Sequence, residues 1–242
     1  MKKLIVNADD FGRTHGINLG ILECFKNGIV TSATVMINMP FAQEAIQIAI
    51  ENKIPLGLHL NITGGEMYLT GTNYLFGDKG KVKEAYKNKG SFSVQDMTLI
   101  IKEYEAQIAE FFRLAKKMPT HLDHHHNLQE VNGYLDIYMN FIKRIQLPTR
   151  TRHKINGVKA PNTIIHNFFT DSELTKVHLL DLIVNVPDGI SELIAHPSLI
   201  TGESLDSYTE VPRFKQVQLL TDAEVIQAVK KLNIKLVSYE DL

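Results

Sequence analysis

Two adjacent carboxylates, Asp9 and Asp10, follow a short apolar run rich in branched residues and precede a glycine. This pattern is typical of a buried strand that delivers acidic side chains at its carboxyl end. Neighbouring residues of a strand point to opposite faces, so the two carboxylates are expected to have different roles. A single Asp at such a place is as readily explained as the cap of a turn. The other strands of the chain must therefore decide between a turn cap and a reactive site.

Three histidines, His59, His125 and His196, each lie at the end of a further predicted strand. These strands are predicted over residues 54–61, 120–125 and 190–196. In parallel barrels and open parallel sheets, functional residues gather at the carboxyl ends of the strands. A lone histidine is more often a satisfied core or surface imidazole, but four strands that all end in titratable groups favour one shared site.

Two imidazoles and one carboxylate, with further positions open to water, are typical of a catalytic metal site. The mixture of nitrogen and oxygen ligands suits zinc and other first-row divalent ions, whereas magnesium ordinarily prefers oxygen. Such a metal lowers the pKa of bound water and polarises a carbonyl, so a neighbouring base completes the chemistry. The second Asp of the opening pair is placed to be that base.

The run of three consecutive histidines at 124–126 needs sorting by strand alternation. In a regular strand His121, Asp123 and His125 share one face, and His124 and His126 share the other. Asp123 could then orient a ligand imidazole from behind. The alternative, in which the run forms a metal-binding tract by itself, requires the strand to end early.

Strands and helices alternate along the chain, which indicates parallel βαβ units in an α/β fold. One domain over residues 1–242 is the economical interpretation, and about seven strands favour a closed or nearly closed barrel over an open sheet. Residues 62–92 lack periodicity and are interpreted as a long excursion over the barrel mouth. Further strands are predicted at 29–39, 157–160 and 234–238. Helices are predicted at 18–26, from 40 onward, around 134–145 and at 172–184. Two more helices begin at capping boxes, one at 93–117 with Ser93/Asp96 and one from Thr221/Glu224 onward.

The composition excludes several classes of protein. Apolar residues make up 44% and charged residues 22% of the chain, with a formal net charge of −1. Nucleic acids and anionic membranes both require clustered Lys and Arg, so neither is an expected partner. The single cysteine, Cys24, lies in an apolar helical pattern and cannot form an internal disulfide. No apolar run approaches a membrane span and no signal-like segment precedes the first strand, so a cytoplasmic location is expected.

At these residues the sequence resembles the YdjC-like family of carbohydrate deacetylases, also called the chitooligosaccharide deacetylase family. The resemblance covers nearly the full chain. It rests on the segments Asn7–Gly12, Gly28–Thr34, Gly57–Asn61, Pro119–His125 and Glu192–Pro197. The Asp-Asp-Phe-Gly and His-x-Asp-x-His pieces are specific when they occur together.

The resemblance implies a distorted parallel β/α (TIM-like) barrel that removes acetyl groups from N-acetylated sugars with one divalent metal ion, Mg²⁺ or Zn²⁺. It implies that Asp10, His59 and His125 bind the metal and that Asp9 is the general base. His196 would protonate the leaving amine or steady the oxyanion. The expected partner is an acetylated oligosaccharide of the chitobiose type, and a homodimer is one assembly that the sequence leaves open.

Asn61, Arg150 and Arg213 are candidate contacts for the sugar or the oxyanion, although a solvated surface role explains either arginine equally well. The chain departs from many relatives at Asn127, at His124 and at Gln216, which stands where a Glu often follows the arginine. None of these departures removes a proposed metal ligand.

Two other functions stay open. A metal-dependent hydrolase of another class, such as a phosphoesterase, would use the same ligands with more cationic groups at the rim, and the basic stretch 144–159 keeps this alternative open. A non-catalytic sugar-binding protein would not need Asp9 beside Asp10, and its usual aromatic platforms are not supplied by Trp, since the chain has none.

Overall fold

A parallel sheet that curls into a half-barrel organises the fold, with helices on its outer side. The structure is a computed structural model that describes residues 1–64, 66–71, 93–126, 128, 131, 133–170, 172–202 and 207–242, with backbone only at 207–209. The strands are β1 Lys2–Phe11, β2 Ser32–Val35, β3 Leu56–Leu60, β4 Leu122–His124, β5 Thr163–Ile165, β6 Gly189–Ala195 and β7 Lys235–Leu236. The helices are α1 His15–Asn27, α2 Ala42–Asn52, α3 Val94–Ala115, α4 Tyr134–Ile145, α5 Lys176–Val184, α6 Ser207–Leu220 and α7 Ala223–Lys231, followed by a 3₁₀ helix at Tyr239–Asp241.

The long first strand is the centre of the sheet. Its strand order is β4-β3-β2-β1-β6-β5, and β7 pairs with the first residues of β1. Every pairing in this order is parallel. Beyond β4, a single bridge between Leu122 and Thr149 extends the curl. This architecture confirms the α/β class and the distorted β/α barrel with about seven strands.

The two faces of β1 pack in different environments. Leu4, Val6 and Ala8 point outward and belong to the main core, which the helices share. Ile5 points inward and packs against Val237 and Tyr239. Because side chains alternate along a strand, Asn7 and Asp9 continue this inward face toward the carboxyl end of the strand.

The helix starts follow local capping chemistry. The Ser93/Asp96 capping box of α3 is confirmed. The predicted Thr221 cap is wrong by one residue, because the carboxylate of Asp222 accepts the backbone N–H groups of Glu224 and Val225. None of the helices in the described part of the chain is both long and apolar enough to cross a membrane.

Other boundaries differ from the sequence prediction. The strand predicted at 157–160 is wrong: Gly157 has φ 82° in a turn, and the β-branched Thr163–Ile165 forms β5 against β6. The strand predicted at 29–39 is confined to β2. The sequence did not predict α6, which contains Pro212. Of the predicted excursion at 62–92, residue 65 and residues 72–92 lie outside the described residues, as does Asn127.

Candidate active site

The end of β1 carries both acidic side chains into the mouth of the half-barrel. The register of β1 against β2 shifts between Ala8 and Phe11, and Asp10 has a left-handed φ of 67°. A bulge of this kind turns a side chain away from strict alternation. Asp9 and Asp10 are consequently both buried and both approach His59. The expectation that the two carboxylates lie on opposite faces is therefore wrong, although their partners do differ.

The carboxylate of Asp10 has one satisfied and one unsatisfied oxygen. Oδ2 accepts a hydrogen bond from Nη2 of Arg213, and Nη1 of Arg13 lies 3.6 Å away. Oδ1 lies 3.5 Å from Nε2 of His59 and 3.9 Å from Nε2 of His125. Among the described residues, this buried oxygen has no hydrogen-bond partner. One carboxylate oxygen and two imidazole nitrogens thus converge on a point that no hydrogen-bond donor of the described residues fills.

Each of the two imidazoles is oriented from behind through its Nδ1 atom. Nδ1 of His59 lies 2.7 Å from Oδ1 of Asp123, and Nδ1 of His125 lies 2.7 Å from Oγ1 of Thr63. These contacts leave both Nε2 atoms directed at Asp10. Such partners fix the tautomer and the ring orientation of metal-binding histidines. Asp123 lies where alternation along the strand predicted it.

The surrounding charges give the three groups different protonation states. Burial alone would raise the pKa of Asp10, but the charge of Arg213 holds it well below its usual range. Burial lowers the pKa of His59, yet the carboxylates of Asp123 and Asp9 raise it to about 9. For His125, burial dominates and its pKa falls well below the usual value. The ionised Asp10 therefore lies beside the neutral His125 and beside His59, from whose Nε2 a metal ion would have to displace a proton.

The carboxylate of Asp9 is held by Arg150. Nη1 and Nη2 of Arg150 donate to the two oxygens of Asp9, each over 2.7 Å. Nε and Nη2 also donate to Oε1 of Glu192, over 3.0 and 2.8 Å, and Nη1 lies 2.9 Å from Oδ2 of Asp123. These carboxylates outweigh the effect of burial and raise the pKa of Arg150 well above its usual value. A bidentate pair of this kind fixes the carboxylate in one orientation.

A second set of possible metal ligands overlaps the first. One ligand atom each from Asp9, His59 and Asp123 lie within 4.8 Å of one another, so these residues form a group that could hold a metal ion. The guanidinium of Arg150 already contacts oxygens of both carboxylates in this group. The two sets share only His59.

His196 lies beside Asp9 at the end of β6. Its Nε2 is 3.9 Å from Oδ2 of Asp9, and its backbone N–H donates to Oε1 of Gln216 over 2.6 Å. Its Nδ1 is buried without a partner among the described residues. Burial is the largest influence on the ring and lowers its pKa to about 4, against the opposing effect of Asp9. The imidazole is therefore neutral at pH 7.

The three residues predicted to contact substrate have protein partners instead. Arg150 and Arg213 contact carboxylates, as described above, but Nε and Nη1 of Arg213 are buried with no hydrogen-bond partner among the described residues. The side-chain amide of Asn61 donates to Asn38 and to the carbonyl of Gly64, and its oxygen accepts the N–H groups of Thr63 and Gly64. Asn61 therefore shapes the turn that carries Thr63. Substrate contact by these residues stays a prediction.

Sequence reasoning missed three side chains near the site. Thr63 was hidden in the excursion that follows β3. Glu192 was visible as a charged residue inside a predicted apolar strand, which is a usable signal for a buried ion pair. Phe169, whose ring packs edge-on against His196 at a centroid distance of 5.0 Å, is 48% exposed. It was overlooked because the preceding strand was placed too early.

The sequence relatives match the chain end to end. A carbohydrate deacetylase of Thermoanaerobacter pseudethanolicus is 33% identical over 253 residues and covers 100% of both chains. A chitooligosaccharide deacetylase of Yersinia enterocolitica is 30% identical over 252 residues and covers 99% of each.

Solved structures share the fold. A protein from Enterococcus faecalis described as a cellobiose-phosphate cleavage protein superposes with a TM-score of 0.82 at 27% identity, covering 99% of this chain and 98% of that one. A family 4 acetyl xylan esterase from Clostridium thermocellum, in complex with cobalt, gives a TM-score of 0.57 at 11% identity, covers 99% and 89%, and shows a likeness of fold alone. The sequence model described as YdjC-like protein matches residues 3–231. This protein belongs to the YdjC-like family.

Proposed function

We propose that this protein is a metal-dependent carbohydrate deacetylase that hydrolyses the acetamide of N-acetylated oligosaccharides of the chitobiose type. Relatives named carbohydrate deacetylase and chitooligosaccharide deacetylase support the reaction class. The site supports it independently, because it combines a ligand set for a cation with a separate carboxylate beside it.

The observation that carries the proposal is the unpartnered Oδ1 of Asp10 facing the Nε2 atoms of His59 and His125. A buried carboxylate oxygen is ordinarily hydrogen-bonded, so its lack of a donor points to a cation. In the overlapping group of Asp9, His59 and Asp123, a metal ion would lie against the guanidinium of Arg150. We therefore assign the metal to Asp10, His59 and His125, with Asp123 and Thr63 orienting the two imidazoles.

The donor set of two nitrogens and one oxygen fits a catalytic divalent ion with open positions. Zn²⁺ accepts this mixture readily, whereas Mg²⁺, the other candidate, ordinarily prefers oxygen ligands. When bound, the ion supplies Lewis-acid chemistry by polarising the acetyl carbonyl and acidifying water.

Asp9 is the proposed general base. Its Oδ1 already accepts hydrogen bonds from Arg150 and Asn7, whereas Oδ2 accepts one from Arg150 and lies nearest to His196. A carboxylate oxygen has two lone-pair sites, so Oδ2 keeps one free for the proton of the attacking water. Arg150 holds this oxygen in place.

His196 is the proposed partner of the leaving group. A neutral imidazole can donate its N–H to the oxyanion or to the departing nitrogen, and the free amine needs one proton to leave. The separation of 3.9 Å between Nε2 of His196 and Oδ2 of Asp9 allows the proton taken from water to be handed on after small movements. Each such acid or base step contributes roughly 10²–10⁴-fold.

The exposed ring of Phe169 gives the mouth an apolar face beside His196. Aromatic rings present a large flat surface at low conformational cost, which suits the apolar face of a sugar ring. This ring could take the place of the Trp platforms that the chain lacks.

The basic stretch 144–159 gives the phosphoesterase alternative less support than its sequence suggested. Arg144 pairs with Glu105, Arg150 pairs with buried carboxylates, and Nζ of Lys159 donates to the carbonyl of Leu242. A phosphate would need unpaired cationic donors near the ligands. Such donors lie outside this stretch, because Nε and Nη1 of Arg213, which contacts Asp10, have no hydrogen-bond partner among the described residues.

An acetate-release assay over N-acetylated oligosaccharides, with and without a chelator, tests the proposal. We expect release from chitobiose-type substrates that is abolished by the chelator and restored by Zn²⁺ or Mg²⁺. p-Nitrophenyl phosphate serves as the counter-substrate. Chelator-sensitive phosphate release without acetate release would replace the proposal with a phosphoesterase.

A further inference from the structure

We propose that Tyr239, near the C-terminus, is a positioning residue for Asp9 and acts on it through Glu192 and Arg150. The inference rests on the proposed function, in which Asp9 is the base. It assigns a role in the reaction to a residue of the C-terminal 3₁₀ helix.

The C-terminal segment enters the interior of the half-barrel from the amino ends of the strands. Strand β7 pairs with Lys3 and Leu4 at the start of β1, and the N–H of Val237 donates to the carbonyl of Leu4. From there Val237 and Tyr239 pack on the inward face of β1 against Ile5. Tyr239 is almost completely buried. The last residues of the chain therefore form the floor beneath the site.

The ring of Tyr239 is fixed by stacking on His121. The ring centroids lie 3.6 Å apart and the planes differ by 2°. His121 has space for this position because β3 has a glycine opposite it: a Cβ at Gly57 would lie 2.5 Å from Cε1 of His121. The phenol is consequently held in one orientation between β4 and β6.

The hydroxyl of Tyr239 donates to Oε2 of Glu192 over 2.7 Å. The other oxygen, Oε1, accepts from both Nε and Nη2 of Arg150. Glu192 is fully buried, and burial raises its pKa while Arg150 and the phenol oppose that effect. The phenol is thus the contact that stops the carboxylate from rotating away from Arg150.

The same guanidinium grips Asp9 with Nη1 and Nη2. The guanidinium of Arg150 is planar and rigid. A rotation of this group that breaks its contacts with Glu192 therefore also tilts the pair of N–H groups that hold Asp9. Buried polar networks of this kind are effective only when each member is satisfied. Tyr239 therefore sets the orientation of Asp9 at a distance of three contacts.

The test compares Tyr239→Phe with Tyr104→Phe in the full-length, metal-loaded protein. Tyr104 is a matched control, because its buried hydroxyl also has a side-chain partner, Tyr134, at 2.6 Å but on the helical layer. We expect kcat for acetate release to fall about tenfold in Tyr239→Phe. KM and the metal content should stay at wild-type values, and Tyr104→Phe should keep the wild-type kcat.

A second readout needs no turnover. The Nε–H resonance of Arg150 in a ¹H–¹⁵N spectrum, assigned by its loss in Arg150→Lys, should shift in Tyr239→Phe and stay in place in Tyr104→Phe. An unchanged kcat and an unmoved resonance in folded Tyr239→Phe would overturn the inference. A moved resonance in a protein whose wild type releases no acetate would instead leave the positioning contact intact and remove the proposed function.

Discussion

Asp9 and Asp10 are neighbours in the chain with different electrostatic surroundings. Arg150 grips both oxygens of Asp9, whereas Arg213 takes one oxygen of Asp10 and leaves the other facing two imidazoles. The sequence predicted two roles from strand alternation. The physical basis is instead the left-handed backbone at Asp10, which a sequence pattern does not reveal because most Asp residues in strands are extended.

The buried histidine His121 should make the free energy of unfolding depend on pH. Burial lowers the pKa of His121 to about 3 in the folded protein, against about 6.5 when unfolded. On acidification, His121 therefore takes up a proton in the unfolded chain before it does so in the folded protein. The stability that the neutral ring contributes is complete above pH 6.5 and is lost as the pH falls toward 3. Between these values His121 contributes a slope of about 1.4 kcal/mol per pH unit to the free energy of unfolding.

The measurement is urea unfolding of the wild type and of His121→Phe between pH 7 and 5. The variant keeps a ring to stack on Tyr239. Its free energy of unfolding should fall less steeply on acidification than that of the wild type. Equal slopes would show that His121 does not titrate as its burial requires.

Among the secondary-structure elements, the strand ends that carry the candidate site could be predicted from the sequence. The irregular segments that connect or interrupt the strands could not. The carboxyl ends of β1, β3, β4 and β6 carry the site, as the apolar runs indicated. The bulge in β1, the turn after β3 that carries Thr63, and the position of β5 depend on contacts between distant segments. Local propensity therefore placed a strand at 157–160 that tertiary pairing puts at 163–165.

Gly12 lies in the irregular junction between β1 and α1, and its substitution tests how tightly that junction is packed. Gly12 has φ 90°, and a Cβ there would lie 2.8 Å from the backbone Cα of Ala42. We expect Gly12→Ala to lower the free energy of unfolding by about 2–4 kcal/mol through strain and steric overlap. Gly157→Ala is the control for strain alone, because φ is 82° there and no atom lies within 4 Å. Thermal unfolding of both variants measures the difference, and equal losses would contradict a tight joint at Gly12.

In the whole molecule, the C-terminal segment fills the interior of the open half-barrel from the amino ends of the strands. The alternation of strands and helices was sufficient to predict a parallel barrel-like fold. It could not show that Tyr239, Glu192 and Arg150 connect the floor to Asp9, because these contacts join residues 42 to 141 positions apart. A lone Glu in a buried strand was the available sign of that connection.

In the proposed reaction, Asp10, His59 and His125 hold a metal ion while Asp9 moves the proton. Metal content and acetate release measured together in Asp9→Asn and His59→Ala separate these two roles. His178→Ala is the control, since this half-buried histidine of α5 has its Nε2 2.8 Å from the carbonyl oxygen of Asn167. We expect Asp9→Asn to keep a full complement of metal and to release acetate at least about 100-fold more slowly. His59→Ala should lose the metal, and His178→Ala should match the wild type. Loss of metal from Asp9→Asn, or acetate release from it at the wild-type rate, would show that Asp9 is not a base separate from the metal ligands.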